Sequence, residues 1–140
     1  MLAIELHQGR AASLRQQFDP RRVTVIVADA ADLRLPRRPF HVVANPPFSV
    51  TTALLRRLTA PGSRLVRADL VVPWHVARRW AVGDAPGANR WRREFLAVEG
   101  RSLPRSAFMP PPPHGTAVLT IRRVRSRPDR VAESRATRRT

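Results

Sequence analysis

Apolar residues in this chain alternate between short unbroken runs and segments of helical period. Residues 2–6 form a brief apolar stretch that reads as the end of a strand. Over 7–18 the apolar positions Ala11, Leu14 and Phe18 are spaced i, i+3, i+7, which predicts a helix stopped by Asp19-Pro20. Residues 23–28, Val-Thr-Val-Ile-Val-Ala, are a continuous and mostly β-branched run, suited to a strand buried on both faces of a parallel sheet. Residues 30–35 predict a short helix or turn closed by Pro36, and 40–44 the next strand. Val50, Ala53, Leu54 and Leu58 make a helical stripe, with Ser49 placed to cap it. After the Pro61-Gly62 turn, 63–72 contains another strand, centred on 68–72, and Pro73 is placed as the first residue of a helix running to about Val82.

Strand and helix alternating in this way predict a doubly wound α/β sheet. The rhythm then changes. Residues 83–89 read as a loop. Residues 94–103 and 116–124 read as two strands joined by a proline-rich connection over 104–114, an antiparallel hairpin at a sheet edge. From 125 to 140 there is charge without apolar periodicity, which predicts a disordered basic tail. One folded unit over 1–124 is therefore expected, with 125–140 appended.

Charge sharpens the question of partner. All 26 basic residues are arginine, against 10 acidic residues, for a net charge of +16. Such a surface favours a polyanion, because each neutralised phosphate releases counterions, and arginine forks onto phosphates and stacks on bases. Nucleic acid is the expected partner class, ahead of an anionic membrane surface. The absence of cysteine excludes disulfides and thiolate metal sites. His7, His41, His75 and His114 are scattered without a pair at metal-ligand spacing, so no metal is expected. No apolar stretch approaches the ~18 residues of a membrane span, and residues 1–5 lack a signal-peptide layout. A cytoplasmic monomer is expected.

The most informative chemistry lies in Asn45-Pro46-Pro47-Phe48, directly after the predicted strand at 40–44. An Asn carboxamide oxygen accepts a hydrogen bond from an NH2 group, and the carbonyl of the next residue accepts a second. Pro47 holds Pro46 extended and so aims that carbonyl in advance. Phe48 offers a face on which a base can stack. The plain alternative is a strand ending in a proline turn. Glu5 and Asp29 fall at the ends of the two preceding predicted strands, where open α/β sheets bind ligands. Taken singly, each reads as an acid leading a helix. Taken with Asn45 on the next strand, they read as one shared site.

These residues together resemble the ribosomal RNA adenine N6-methyltransferases, most of all the macrolide-resistance (Erm-type) branch acting on large-subunit rRNA. The resemblance spans about residues 2–124. It rests on Ile4-Glu5-Leu6, on Ala28-Asp29-Ala30-Ala31-Asp32-Leu33, and on Val43-Ala44-Asn45-Pro46-Pro47-Phe48-Ser49. It continues in Arg67-Ala68-Asp69-Leu70-Val71-Val72-Pro73, and in Phe108-Met109-Pro110-Pro111-Pro112-Pro113 leading to Ala117-Val118-Leu119. The Asn-Pro-Pro-aromatic motif also occurs in DNA adenine, protein glutamine and rRNA guanine methyltransferases. The Phe-x-Pro-x-Pro segment before an Ala-Val-Leu strand points to the rRNA adenine group.

The resemblance implies a Rossmann-like, class I S-adenosylmethionine-dependent methyltransferase fold. It implies that Glu5 binds the ribose of S-adenosylmethionine, that Asp29 binds its adenine and that Ala30 lies beside that ring. It implies that Asn45 and the Pro46 carbonyl hold the N6 amine of the target adenine, with Asn45 also facing the donor and Phe48 stacked on a base flipped out of the RNA. A complete member begins with a strand and a Gly-rich turn upstream of the ribose-binding acid, and this chain begins at the second strand, with no Gly-x-Gly-type segment. The strands of Glu5 and Asp29 are thus expected to lack the neighbour that joins them to the strand of Asn45. A non-catalytic basic RNA-binding remnant, or a DNA or protein N-methyltransferase sharing the motif, remain alternatives at this point. The arginines at 56–57, 78–79, 90 and 92–93 read as solvated faces that can also meet rRNA phosphates, and Trp74, Trp80 and Trp91 as packing residues.

Overall fold

The computed structural model describes residues 1–124; the expected disordered tail, 125–140, lies outside the described residues. Among the described residues there are six strands and four helices. The strands are β1 (Leu2–Glu5), β2 (Thr24–Val27), β3 (Phe40–Ala44), β4 (Leu65–Pro73), β5 (Phe95–Leu103) and β6 (Thr116–Arg123). The helices are α1 (Gln8–Gln17), α2 (Phe48–Leu58), α3 (Trp74–Val82) and the single turn α4 (Ala88–Trp91). Two 3-10 turns, Ala30–Asp32 and Arg105–Ala107, complete the order.

The strands form two sheets. β1 pairs with β2 in parallel, Glu5 opposite Val27. β3, β4, β6 and β5 form a second sheet in that order. There β3 runs parallel to β4, with Ala44 opposite Leu70, and β6 runs antiparallel to both β4 and β5. Among the described residues no strand joins β1 to β3, which is the break expected from the sequence. The terminal hairpin is also as expected, with β5 at the edge and β6 inside.

Alternation along β4 explains the main core. Ala68, Leu70 and Val72 are fully buried on one face, which suits residues of period two. They meet Leu54, Leu55 and Leu58 of α2, Ala77 and Trp80 of α3, and Ala117, Leu119 and Ile121 of β6 in one cluster. The opposite face carries His41, Val43, Arg67, Asp69, Val118, Thr120 and Arg122, none of them buried, with Val43 88% exposed. On that face Thr120 donates to Asp69 Oδ1 across the register at 2.7 Å, and Arg67 forks onto both Asp69 oxygens at 2.8 and 3.0 Å.

Several local expectations are corrected. The Val23–Ala28 run is not buried on both faces: only Val23 and Val25 are buried, because β2 has a single strand neighbour, β1, which adds Ala3, and is covered by α1 alone through Ala11 and Leu14. Phe18 does not continue the stripe of α1; it is the extended C-cap and is exposed. Ser49 is not the cap of α2. The helix starts two residues earlier, at Phe48; Pro47 is the N-cap without a side-chain bond, and Val50 N–H and Thr51 Oγ1 both donate to the Pro47 carbonyl. Pro73 ends β4 and precedes α3 as its N-cap, instead of opening the helix, because its ψ of 138° is extended. The 83–89 loop ends in α4, which follows Gly87 at φ +77°.

Candidate active site

Asn45-Pro46-Pro47 crosses from the end of β3 to the start of α2. The two prolines have no N–H to extend either element, so the strand ladder stops and the helix begins cleanly at Phe48. Asn45 is exposed, Pro46 is buried and Phe48 is half-buried. The Pro47 carbonyl is consumed by the first turn of α2. The Asn45 carboxamide and the Pro46 carbonyl accept no hydrogen bond from the described residues. Two acceptors therefore stand unused in the residues just before Phe48, on a segment whose backbone is fixed at both ends.

Glu5 is the last residue of β1 and Asp29 follows the end of β2, so both lie at the C-terminal ends of their strands. Glu5 Oε1 accepts from His7 N–H at 2.8 Å and from Arg10 Nη2 at 3.1 Å. The Arg10 hydrogen bond, followed by the one from the His7 backbone, holds the Glu5 carboxyl below its usual range. Asp29 Oδ1 accepts from Ala31 N–H at 2.8 Å and caps the 3-10 turn that begins at Ala30. Each carboxylate thus does the local work of an acid leading a helical turn, and each keeps its second oxygen free of hydrogen bonds to the described residues. The 3.3 Å bond from Ala28 N–H to the Glu5 carbonyl carries the β1–β2 ladder up to the start of that turn.

Arg57 was not legible as part of this arrangement. Its Nε and Nη1 donate to the carbonyls of Ala31 and Leu33 at 3.2 and 3.0 Å, and its Nη2 meets Asp32 Oδ1 at 2.8 Å. It is a clamp between the segment after Asp29 and the helix that opens at Phe48, not a solvated arginine. Spacing along the chain carried no signal, because the bond closes a separation of about 25 residues.

The tryptophans divide. Trp80 and Trp91 pack as expected, buried and stacked with ring centres 4.7 Å apart. Trp74 does not: it is 46% exposed at the start of α3, with the Arg78 guanidinium 5.7 Å from its ring centre. The Phe108 segment joins β5 to β6 and is half-buried at Phe108 itself. Its Pro112 carbonyl accepts from Arg105 Nε at 2.8 Å, and the Gly115 carbonyl beyond it accepts from Trp74 N–H at 2.9 Å. The proline segment is thereby tied to the end of β4, the strand next to that of Asn45.

Parallel strands with an antiparallel hairpin at the sheet end, and acceptor groups at the C-terminal ends of the strands, are the arrangement of the class I methyltransferase fold. The solved structure of the 23S rRNA methyltransferase ErmE matches 89% of this chain and 52% of its own, with a TM-score of 0.76 and 22% identity. A dimethyladenosine transferase from Plasmodium falciparum matches 88% of the chain at a TM-score of 0.68. By sequence, an rRNA adenine N-6-methyltransferase of Corynebacterium diphtheriae is 39% identical over 125 residues, covering 87% of this chain and 49% of that protein. The mycinamicin-resistance protein MyrB of Micromonospora griseorubida is 40% identical over 126 residues, covering 86% of this chain and 39% of that protein. No family model matches. The chain is similar to rRNA adenine N6-methyltransferases over most of its own length, and it spans about half the length of the curated relatives it matches.

Proposed function

We propose that these residues form the acceptor site and the nucleoside half of the donor site of an enzyme that methylates the N6 amine of an adenine in rRNA, with 23S rRNA as the substrate. Residues 1–124 are assigned to one catalytic unit. The observation that carries the reading is the pair of unused acceptors, Asn45 Oδ1 and the Pro46 carbonyl, fixed beside Phe48. An adenine amine has two N–H donors, and these two acceptors match them in number.

S-adenosylmethionine, when bound, supplies an electrophilic sulfonium methyl group. The free oxygens of Glu5 and Asp29 fit the ribose hydroxyls and the adenine amine of that donor, since each is an acceptor at a strand end; Ala30 presents only a methyl beside the ring. On the acceptor side Asn45 and Pro46 orient the target amine and draw its lone pair out of conjugation with the ring. Phe48 holds the flipped base by stacking. The amine lone pair forms the new N–C bond as the S–C bond breaks, and the amine then loses a proton. No strong base is required, so the rate comes from positioning and from acceptors placed where positive charge develops on nitrogen.

The choice of nucleic acid is tested by offering labelled donor with rRNA, duplex DNA and a glutamine-bearing protein in parallel. Transfer to rRNA alone is the expected result. Equal transfer to duplex DNA would move the reading to a DNA adenine methyltransferase.

A further inference from the structure

A hollow of about 340 Å³ lies between the C-terminal end of α2 and the segment 86–91, lined by Arg56, Thr59, Pro86, Gly87, Arg90 and Trp91. It contains no carboxylate. Neither Arg56 nor Arg90 forms an ion pair among the described residues. Trp91 is 4% exposed, and its indole Nε1–H is the one buried side-chain polar group among the described residues without a hydrogen-bond partner. Leaving such a donor unpaired is unfavourable, so the site favours an acceptor there. One face of its ring is covered by Trp80, and Cδ1, bonded to Nε1, is the atom that a Cβ on Gly87 would approach, at 3.9 Å. The ring atom next to Nε1 is thus on the Gly87 side of the indole, and Gly87 and Trp91 both line the hollow. Two guanidinium groups outside any ion pair and an unpaired N–H are all donors, and an acceptor-only anion is the chemistry they share.

The hollow is also connected to the acceptor site. Ser49, Thr52, Ala53 and Arg56 are the exposed positions of α2 and follow the i, i+3, i+4, i+7 spacing of one helix face. That face runs from Phe48 to the hollow, eight residues or about 12 Å at the helical rise. It is small, uncharged and unobstructed until Arg56.

We infer that Arg56, Arg90 and the Trp91 indole bind a backbone phosphodiester of the RNA whose target base lies over Phe48, with the intervening strand laid along the exposed face of α2. This deepens the rRNA reading above and rests on it. Arg56 and Arg90 supply the charge-assisted bonds, and Trp91 supplies a neutral, fixed donor that sets the depth of the phosphate.

The test is titration of the full chain with a single-stranded RNA oligonucleotide over a range of salt. Each phosphate that the protein no longer neutralises reduces the steepness of log affinity against log salt by about 0.7. The Arg56→Gln/Arg90→Gln pair is expected to show a reduction of about that size. Trp91→Phe keeps the stack on Trp80, and is expected to weaken binding several-fold with the slope unchanged. Arg21→Gln, an exposed arginine elsewhere, should alter neither affinity nor slope by a comparable amount. Circular dichroism confirms each fold, and Arg90→Gln alone decides if the double variant does not fold. An equal reduction from Arg21→Gln, or unweakened binding by folded Trp91→Phe, overturns the site. So does a fall in affinity confined to anionic phospholipid vesicles. If the unaltered chain binds no RNA, the rRNA reading itself fails; if it binds RNA and the variants bind as tightly, only the hollow fails.

Discussion

Arg57 Nη2 lies 2.8 Å from Asp32 Oδ1, while the rest of the same guanidinium donates to the carbonyls of Ala31 and Leu33. One side chain of α2 therefore gathers the turn that follows Asp29. This matters because, among the described residues, no strand joins β1 to β3: the clamp is one of the links between the candidate donor and acceptor halves. The Asp32 partner is 89% exposed and contributes little by itself. The two carbonyl bonds are part-buried and carry more. Arg57→Ala is expected to destabilise the chain by about 1–2 kcal/mol in denaturant unfolding, and Arg57→Lys, which cannot reach all three acceptors, by most of that amount. A Lys variant as stable as the parent would show that Arg57 is no clamp.

Donor affinity is expected to be low. Glu5, Asp29 and Ala30 address a nucleoside, and the family's Gly-rich turn for the methionine end has no counterpart in these residues. Titration calorimetry of the chain with S-adenosylmethionine should give a Kd no tighter than about 1 mM, roughly 4 kcal/mol, and Asp29→Ala should abolish the signal. Micromolar binding, or binding indifferent to Asp29, contradicts this assignment.

Asp69 gives a pH signature independent of function. The Arg67 hydrogen bond and, after it, the Thr120 hydroxyl hold its carboxyl below the ordinary aspartate range, against an opposing contribution from desolvation. A carboxylate whose pKa is depressed on folding adds stability above its unfolded pKa and loses it as pH falls through the folded value. The stability gap between the parent and Asp69→Asn should therefore be constant at neutral pH and close only below about pH 4. A gap that closes between pH 6 and pH 8 would assign the effect to another group.

Much of the fold was legible because periodicity and proline placement are local. β3, β4, the hairpin of β5 and β6, and α1 to α3 followed from runs and spacing, and the break between β1 and β3 followed from the resemblance. What failed was set by neighbours. Val23–Ala28 looks like a doubly buried strand, yet burial is decided by what packs above and below it, and here that is α1 alone. Ser49 looks like a cap, yet Pro46-Pro47 fixes the start of α2 first. At the candidate site, Glu5, Asp29 and Asn45 could be singled out because strand ends are local; Arg57 and the Arg56–Arg90–Trp91 hollow could not, because each joins segments distant in the chain.

The central claim is that Asn45 and Pro46 hold an adenine amine for methyl transfer. It is tested most directly by incubating the chain with rRNA and millimolar methyl-labelled S-adenosylmethionine, then digesting the RNA and identifying the labelled nucleoside by mass spectrometry. The expected result is label only in N6-methylated adenosine, with a fall of about 10²–10³-fold in its rate for Asn45→Ala. Label in guanosine, no label in rRNA from the folded chain, or an Asn45→Ala variant as active as the parent would contradict it.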